Sequence, residues 1–280
     1  MAIFRCQFNI VQRSSGRSVV AAAAYRAGER LLDRKAGVMH DYRHKRDVVH
    51  REILAPQGAP DWIQDREELW NQVEALEKRK DAQLARECQV AFPRGLSLEQ
   101  ERDLVRGFVQ REFVSRGMIA DICIHHGRAS DGQNQPHAHI LLTLRQAAID
   151  GLSKRKDRSW NKTELIEEWR SSWADHANQA LKRIGSDDRL DHRSLYAQRQ
   201  DALERGDMAA AAALDREPTV PRGIGQHVKQ AWGWASSQLE LYKNIEFRNE
   251  LRRKVRDNKM SDSDISLLLN RNLSRENGYI

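Results

Sequence analysis

The sequence predicts an α+β fold: a central, antiparallel-rich sheet with helices packed on one face, followed by a helical extension. Three observations carry this reading. Short runs alternate apolar and polar side chains with a period of two, stretches of helical periodicity separate them, and beyond about Ser194 the alternation stops.

The elements follow in order. "AIFRCQFNI", residues 2–10, puts Phe4, Cys6, Phe8 and Ile10 on one face and Arg5, Gln7 and Asn9 on the other, a half-buried strand. "SVVAAAAYRAGERL" is Ala-rich and so helical, with Ser18 as its N-cap. The charged stretch after it has hairpin punctuation at Gly37 and an exit at Pro56. A long helix is expected from about Asp65 to Arg86, with Leu69, Val73, Leu76 and Leu84 inward. "RECQVAFP" reads as a strand, and Ser97 with Gln100 forms a capping box for a helix ending near Gly117. "MIADICIHH" and "HAHILLTLR" read as adjacent strands joined by a polar loop, Gly127–Pro136. Thr163 opens a helix that Gly185 closes. Residues 1–195 thus form one domain, and 196–280 a helical extension or linker. That extension comprises an Ala-rich segment, a break at "TVPRGIG" and a charged helix from about Gln226 to Asn258 carrying Trp232 and Trp234.

Composition narrows the chemistry. The 280 residues hold 47 Lys+Arg against 40 Asp+Glu, a net charge of +7, which points to a polyanionic partner. Cys6, Cys88 and Cys123 are odd in number, far apart and each in an apolar run. They read as reduced core residues of a cytoplasmic protein rather than a disulfide frame or zinc knuckle. No apolar run approaches the roughly 18 residues of a membrane span, so membrane insertion is not expected.

The sharpest signal is "PHAHILLTLR". His137 and His139, at i and i+2 of a strand, leave the same face, and Pro136 places them near the strand's start. On the neighbouring strand His125 shares a face with Asp121 and Cys123, while His126 shares the greasy face of Ile122 and Ile124; alternation favours His125 as third ligand, and a bulge at the strand end reverses the roles. Three neutral imidazoles make a site for a divalent metal, Mg²⁺ or Mn²⁺ with Zn²⁺ as a further choice. No H-E-x-x-H is present, so a zinc protease lacks its general base.

"GRSVVAAAAYRAGE", "RKDAQLARE", "PHAHILLTLR" and "DHRS" at 191–194 resemble, in that order, the MobA/MobL-type relaxases of mobilisable plasmids, members of the HUH (histidine–hydrophobic–histidine) endonucleases. The resemblance spans roughly residues 1–195. It implies that Tyr25 is the nucleophile in site- and strand-specific nicking and rejoining at a transfer origin, and that His125, His137 and His139 hold the metal. It implies single-stranded or hairpin DNA as substrate, relaxosome accessory proteins and a type IV secretion coupling protein as partners, and passage with the DNA to the recipient cell. Glu87, on the histidine face, is expected to orient a ligand imidazole or accept a proton. Arg13, Arg17, Arg26, Arg43, Lys45 and Arg46 are the candidate DNA contacts. Two rivals remain: a phosphodiester hydrolase with no covalent step, and a DNA-binding accessory protein that never cleaves.

Overall fold

Nine strands in the described part of the first unit form one principal sheet and two small ribbons. The computed structural model describes residues 4–16, 18–128, 132–217 and 237–257. The chain divides into two compact units, residues 1–192 and 193–280.

In the first unit the strands β1 (Cys6–Gln12), β4 (Val48–Leu54), β5 (Gln83–Ala91), β6 (Ala120–Arg128) and β7 (Asn134–Leu142) form a five-stranded sheet in the order β1-β5-β7-β6-β4. Every pairing in it is antiparallel. Two ribbons accompany it, β2 (Arg30–Asp33) with β3 (Val38–Asp41), and β8 (Ala147–Ala148) with β9 (Gly151–Leu152). The helices are α1 (Val19–Ala27), α2 (Arg66–Leu76), α3 (Leu98–Glu112) and α4 (Thr163–Arg183).

The α+β class is as the sequence predicts, and α3 and α4 cover one sheet face. Cys88, Val90, Ile122, Ile124 and Ile140 meet Phe108, Phe113, Trp169 and Trp173 there. The opposite face is covered too: Val11, Ile53, Ala85 and Leu141 pack with Val20 and Ala24 of α1 and Leu69 and Trp70 of α2. One sheet therefore serves two cores, and the Ala-rich α1 is short-sided enough to lie close on the second. Trp70, Trp169 and Trp173 are fully buried, and truncating a buried Trp to Ala typically costs about 3–5 kcal/mol.

Local caps fall where the sequence places them. The Ser18 side chain accepts from the Ala21 amide at the start of α1, and both hydrogen bonds of the Ser97/Gln100 capping box are formed at α3. Three expectations are corrected. The helix expected from Asp65 to Arg86 stops at Leu76, and the chain enters β5 at Gln83. The charged run "EKRKD" supplies the turn, and Leu84 is a buried strand residue. Second, β6 continues to Arg128 and β7 starts at Asn134, so both ends of the expected Gly127–Pro136 loop belong to strands. Third, helices flank both sheet faces rather than one alone.

The second unit holds α5 (Leu195–Glu204), α6 (Met208–Leu214) and α7 (Ser237–Arg256). Asp207 caps α6, and Glu217 is gripped by Arg248 and Arg252 of α7, while Asn249 exchanges hydrogen bonds with the Glu217 backbone at 2.7 and 2.9 Å. Of the helix expected over Gln226–Asn258, residues 226–236 with Trp232 and Trp234 lie outside the described residues, as does Arg17.

Candidate metal centre and nucleophile

The site is built on the sheet face that carries α1 and α2. Strand register puts His125 directly opposite His137, and Cys123 opposite His139, with no slip along β6 and β7. On the other side of β7, Gln89 stands opposite His139 and Glu87 opposite Leu141. Directly paired residues of an antiparallel ladder share a face, so Glu87, His125, His137 and His139 emerge together. The register irregularity lies on the edge strand β4, between Val48 and His50, and not at the end of β6.

The three imidazoles cluster with one nitrogen from each ring within 4.8 Å of the others. Each ring is also oriented through a hydrogen bond away from the cluster. His125 Nε2 donates to the Arg26 carbonyl at 2.6 Å, His137 Nδ1 to the Gln135 carbonyl at 2.9 Å, and His139 Nδ1 to Glu87 Oε1 at 2.7 Å. With those atoms acting as donors, Nδ1 of His125 and Nε2 of His137 and His139 are left as lone-pair donors. Burial, with His139 close by, pushes the His125 imidazole down to about 4, and burial does the same to His137. Both rings are therefore neutral at pH 7, the form a metal binds. Donor set, spacing and supporting acceptors all fit a divalent cation.

His126 points the other way. Its Nε2 lies 2.7 Å from Oε2 of Glu101, a buried α3 residue on the opposite sheet face. Burial raises the Glu101 carboxyl, and the imidazole opposes that rise.

Glu87 is buried against two partners. Burial disfavours its charge, but the hydrogen bonds from His139 and Arg26 win and hold the carboxyl well below its ordinary range. Arg26 Nε donates to Glu87 Oε1 at 2.7 Å, and its terminal nitrogen lies 2.7 Å from Oε2. Beneath this, buried Arg66 forks onto Asp121, which also accepts from Trp70 Nε1 at 2.9 Å, fixing α2 to β6.

Tyr25 stands in the last turn of α1, one residue before the carbonyl that holds His125. The Tyr42 ring meets it edge-on at 5.2 Å, and Lys45 Nζ lies 4.0 Å from its centroid. The candidate DNA contacts divide sharply. Arg13 is not a surface cation: it braces the end of β1 against Glu74 and the carbonyls of Glu77 and Arg79. Arg26 is taken by Glu87, and Lys45 by Tyr25 and Asp47. Arg43, paired with Asp41, and Arg46 are exposed on the turn beside Tyr25. Asp47 is a neighbour that sequence reasoning missed; its Oδ2 lies 3.5 Å from His125 Nδ1.

An antiparallel sheet that presents a histidine–hydrophobic–histidine pair and a third imidazole beneath a tyrosine-bearing helix has the α+β architecture of the HUH relaxases. Within that class the chain belongs to the MobA/MobL family, whose model matches residues 17–214. It is 34% identical over 255 residues to the conjugal transfer protein TraA of Agrobacterium fabrum (strain C58), covering 80% of this chain and 22% of that protein. It is 30% identical to the mobilization protein MobL of Acidithiobacillus ferridurans, covering 95% and 76% respectively. A solved structure described as "Molecular Basis of Vancomycin Resistance Transfer in Staphylococcus aureus" superposes with a TM-score of 0.63 at 32% identity, over 69% of this chain and 100% of that one. The chain thus spans about a fifth of the TraA protein's length. Among the described residues, no helix is long and apolar enough to cross a membrane.

Proposed function

We propose that this chain nicks and rejoins one DNA strand at a transfer origin, holding the 5′ end as a phosphotyrosine on Tyr25. The observation that carries the reading is the 2.6 Å bond from His125 to the Arg26 carbonyl, which fastens the nucleophile's helix to the imidazole triad. The relatives' names, conjugal transfer and mobilization, supply the setting.

In the proposed step the Tyr25 hydroxyl oxygen attacks the scissile phosphorus. One phosphorus–oxygen bond forms, the bond to the 3′ oxygen breaks, Tyr25 gives up its proton and the departing 3′ oxygen gains one. Phosphodiester is exchanged for phosphodiester, so the reverse step rejoins the strand without nucleotide hydrolysis. His125, His137 and His139 would hold the divalent ion, which, when bound, supplies Lewis-acid polarisation of the phosphate oxygens. Glu87 orients His139 and anchors Arg26; with both oxygens engaged and its carboxyl held low, it is a poor proton acceptor. Single-stranded or locally extruded DNA reaches Tyr25 past the exposed turn of Arg43 and Arg46. Relaxosome proteins and a secretion coupling protein are the partners this role calls for.

The test is covalent capture. The chain is incubated with a library of single-stranded origin oligonucleotides in Mg²⁺ or Mn²⁺, and denaturing gels are read for a protein–DNA adduct. Neither a hydrolase nor a non-cleaving binder yields one.

A further inference from the structure

Lys45 entered as a phosphate contact, but its surroundings give it another task. The turn that carries it is locked at three points: the Tyr42 amide donates to the Glu29 carbonyl at 3.0 Å, the Lys45 amide donates to the Tyr42 carbonyl at 3.0 Å, and the His126 amide donates to the Asp47 carbonyl at 2.8 Å. Gly28 makes the close approach possible. It sits at φ +61°, and a Cβ there would lie 3.1 Å from Val48 Cγ2 and 3.7 Å from Lys45 Cβ. Lys45 is thereby turned inward, its side chain 11% exposed, with Nζ 4.0 Å from the Tyr25 ring centroid and 3.4 Å from Asp47 Oδ2. The Tyr42 ring closes a second side of Tyr25.

We infer that Lys45 is a positioning residue for Tyr25: its ammonium, held over the ring face by the 42–47 turn, fixes the phenol and stabilises the negative charge the phenol acquires as it attacks or leaves phosphorus. A cation attracts an aromatic face modestly. The attraction grows as the phenol loses its proton, so the gain is larger in the transition state than in the ground state, which is the condition for raising the rate. The same cation serves both directions, since Tyr25 oxygen bears charge whether it is attacking in nicking or departing in rejoining. Asp47 keeps the ammonium from swinging out to solvent.

The inference rests on the proposed nucleophile, so wild type and Tyr25→Phe are assayed first; no wild-type adduct defeats that earlier reading and leaves Lys45 out of it. With the captured oligonucleotide at saturation, Lys45→Met is expected to slow both capture and rejoining by about tenfold or more, and Lys45→Arg to recover to within about threefold of wild type. Affinity for the same oligonucleotide, compared between Tyr25→Phe and the Tyr25→Phe/Lys45→Met double variant, should change less than about threefold. Thermal melts verify folding, and if Lys45→Met does not fold, Lys45→Gln against Lys45→Arg makes the same contrast. Wild-type rates for Lys45→Met at saturating DNA, with weakened binding and a salt slope reduced by about one, make Lys45 a plain phosphate contact and overturn the inference. Equal slowing in Lys45→Arg and Lys45→Met overturns it too, because shape and not charge would then be what matters.

Discussion

The imidazole of His139 donates from Nδ1 to Oε1 of Glu87 across 2.7 Å, on the diagonal of the β5–β7 ladder. The bond fixes the ring's tautomer and aims Nε2 at the centre of the triad. The second hydrogen-bonding partner of the same carboxylate, Arg26, belongs to the helix of Tyr25, so one buried acid ties an imidazole of the triad to the segment of the proposed nucleophile.

Glu87→Gln should therefore damage the metal site before anything else. The amide keeps the size but loses the charge that balances Arg26 and one of the two acceptor oxygens that His139 and Arg26 share. Metal affinity by titration calorimetry is expected to fall by about 10–100-fold, and stability by about 3–5 kcal/mol in denaturant melts, since Arg26 is left buried and uncompensated. Unchanged affinity in a folded Glu87→Ala variant, which keeps no acceptor for His139, would refute the orienting role.

Adjacent residues of β6 should behave oppositely. His125→Ala removes a proposed ligand that is 2% exposed and should abolish both metal binding and nicking. His126→Ala leaves the triad intact but strands Glu101 in the core beneath α3, and it should cost about 1–3 kcal/mol of stability with metal affinity kept. Titrating both variants with Mn²⁺ decides it: loss of metal in His126→Ala alone would mean the ladder register is wrong.

Tyr25→Phe should end covalent capture while leaving affinity for hairpin DNA within a few-fold, because phosphate contacts supply most of the binding. Tyr42 is the control: its ring packs edge-on to Tyr25, so Tyr42→Phe keeps that contact and should still form adduct. An adduct that survives Tyr25→Phe and disappears with Tyr42→Phe would exchange the two assignments.

What the sequence made legible was periodic. The i, i+2 histidines and the alternation in "DICIHH" and "RECQVAFP" placed His125, His137, His139 and Glu87 on one sheet face, because pleat geometry is local. Charge was misleading wherever the partner is distant in the chain. Arg13 and Arg26 read as phosphate contacts, yet Glu74 and Glu87, each 61 residues away, hold them. The helix overrun past Leu76 has a similar cause: Leu84 continues a helical spacing from Leu69, Val73 and Leu76, and only the pairing of β5 with β1 and β7 gives it a strand to join. Lys45 over Tyr25 depends on a turn locked by backbone bonds, which composition does not reveal.

His125 and His137 are held down to about 4 by burial in the folded chain, against an ordinary value near 6.5. Between those limits the unfolded chain binds more protons than the folded one, so folding stability falls as pH drops from 6.5 toward 4. Each ring contributes a slope of at most about 1.4 kcal/mol per pH unit. Glu87, held low by His139 and Arg26 against the pull of burial, contributes stability above its ordinary range that is lost only at still lower pH, so the two effects separate. Denaturant melts of the chelator-treated chain at pH 7.5, 6.5, 5.5 and 5 should show the midpoint declining chiefly below 6.5. His137→Gln, which removes one of the two titrating rings, should reduce that slope by about half between 6.5 and 5. A wild-type profile flat across that interval would mean the two rings are protonated as readily in the folded chain as in the unfolded one, and the buried neutral state of His125 and His137 would have to be abandoned.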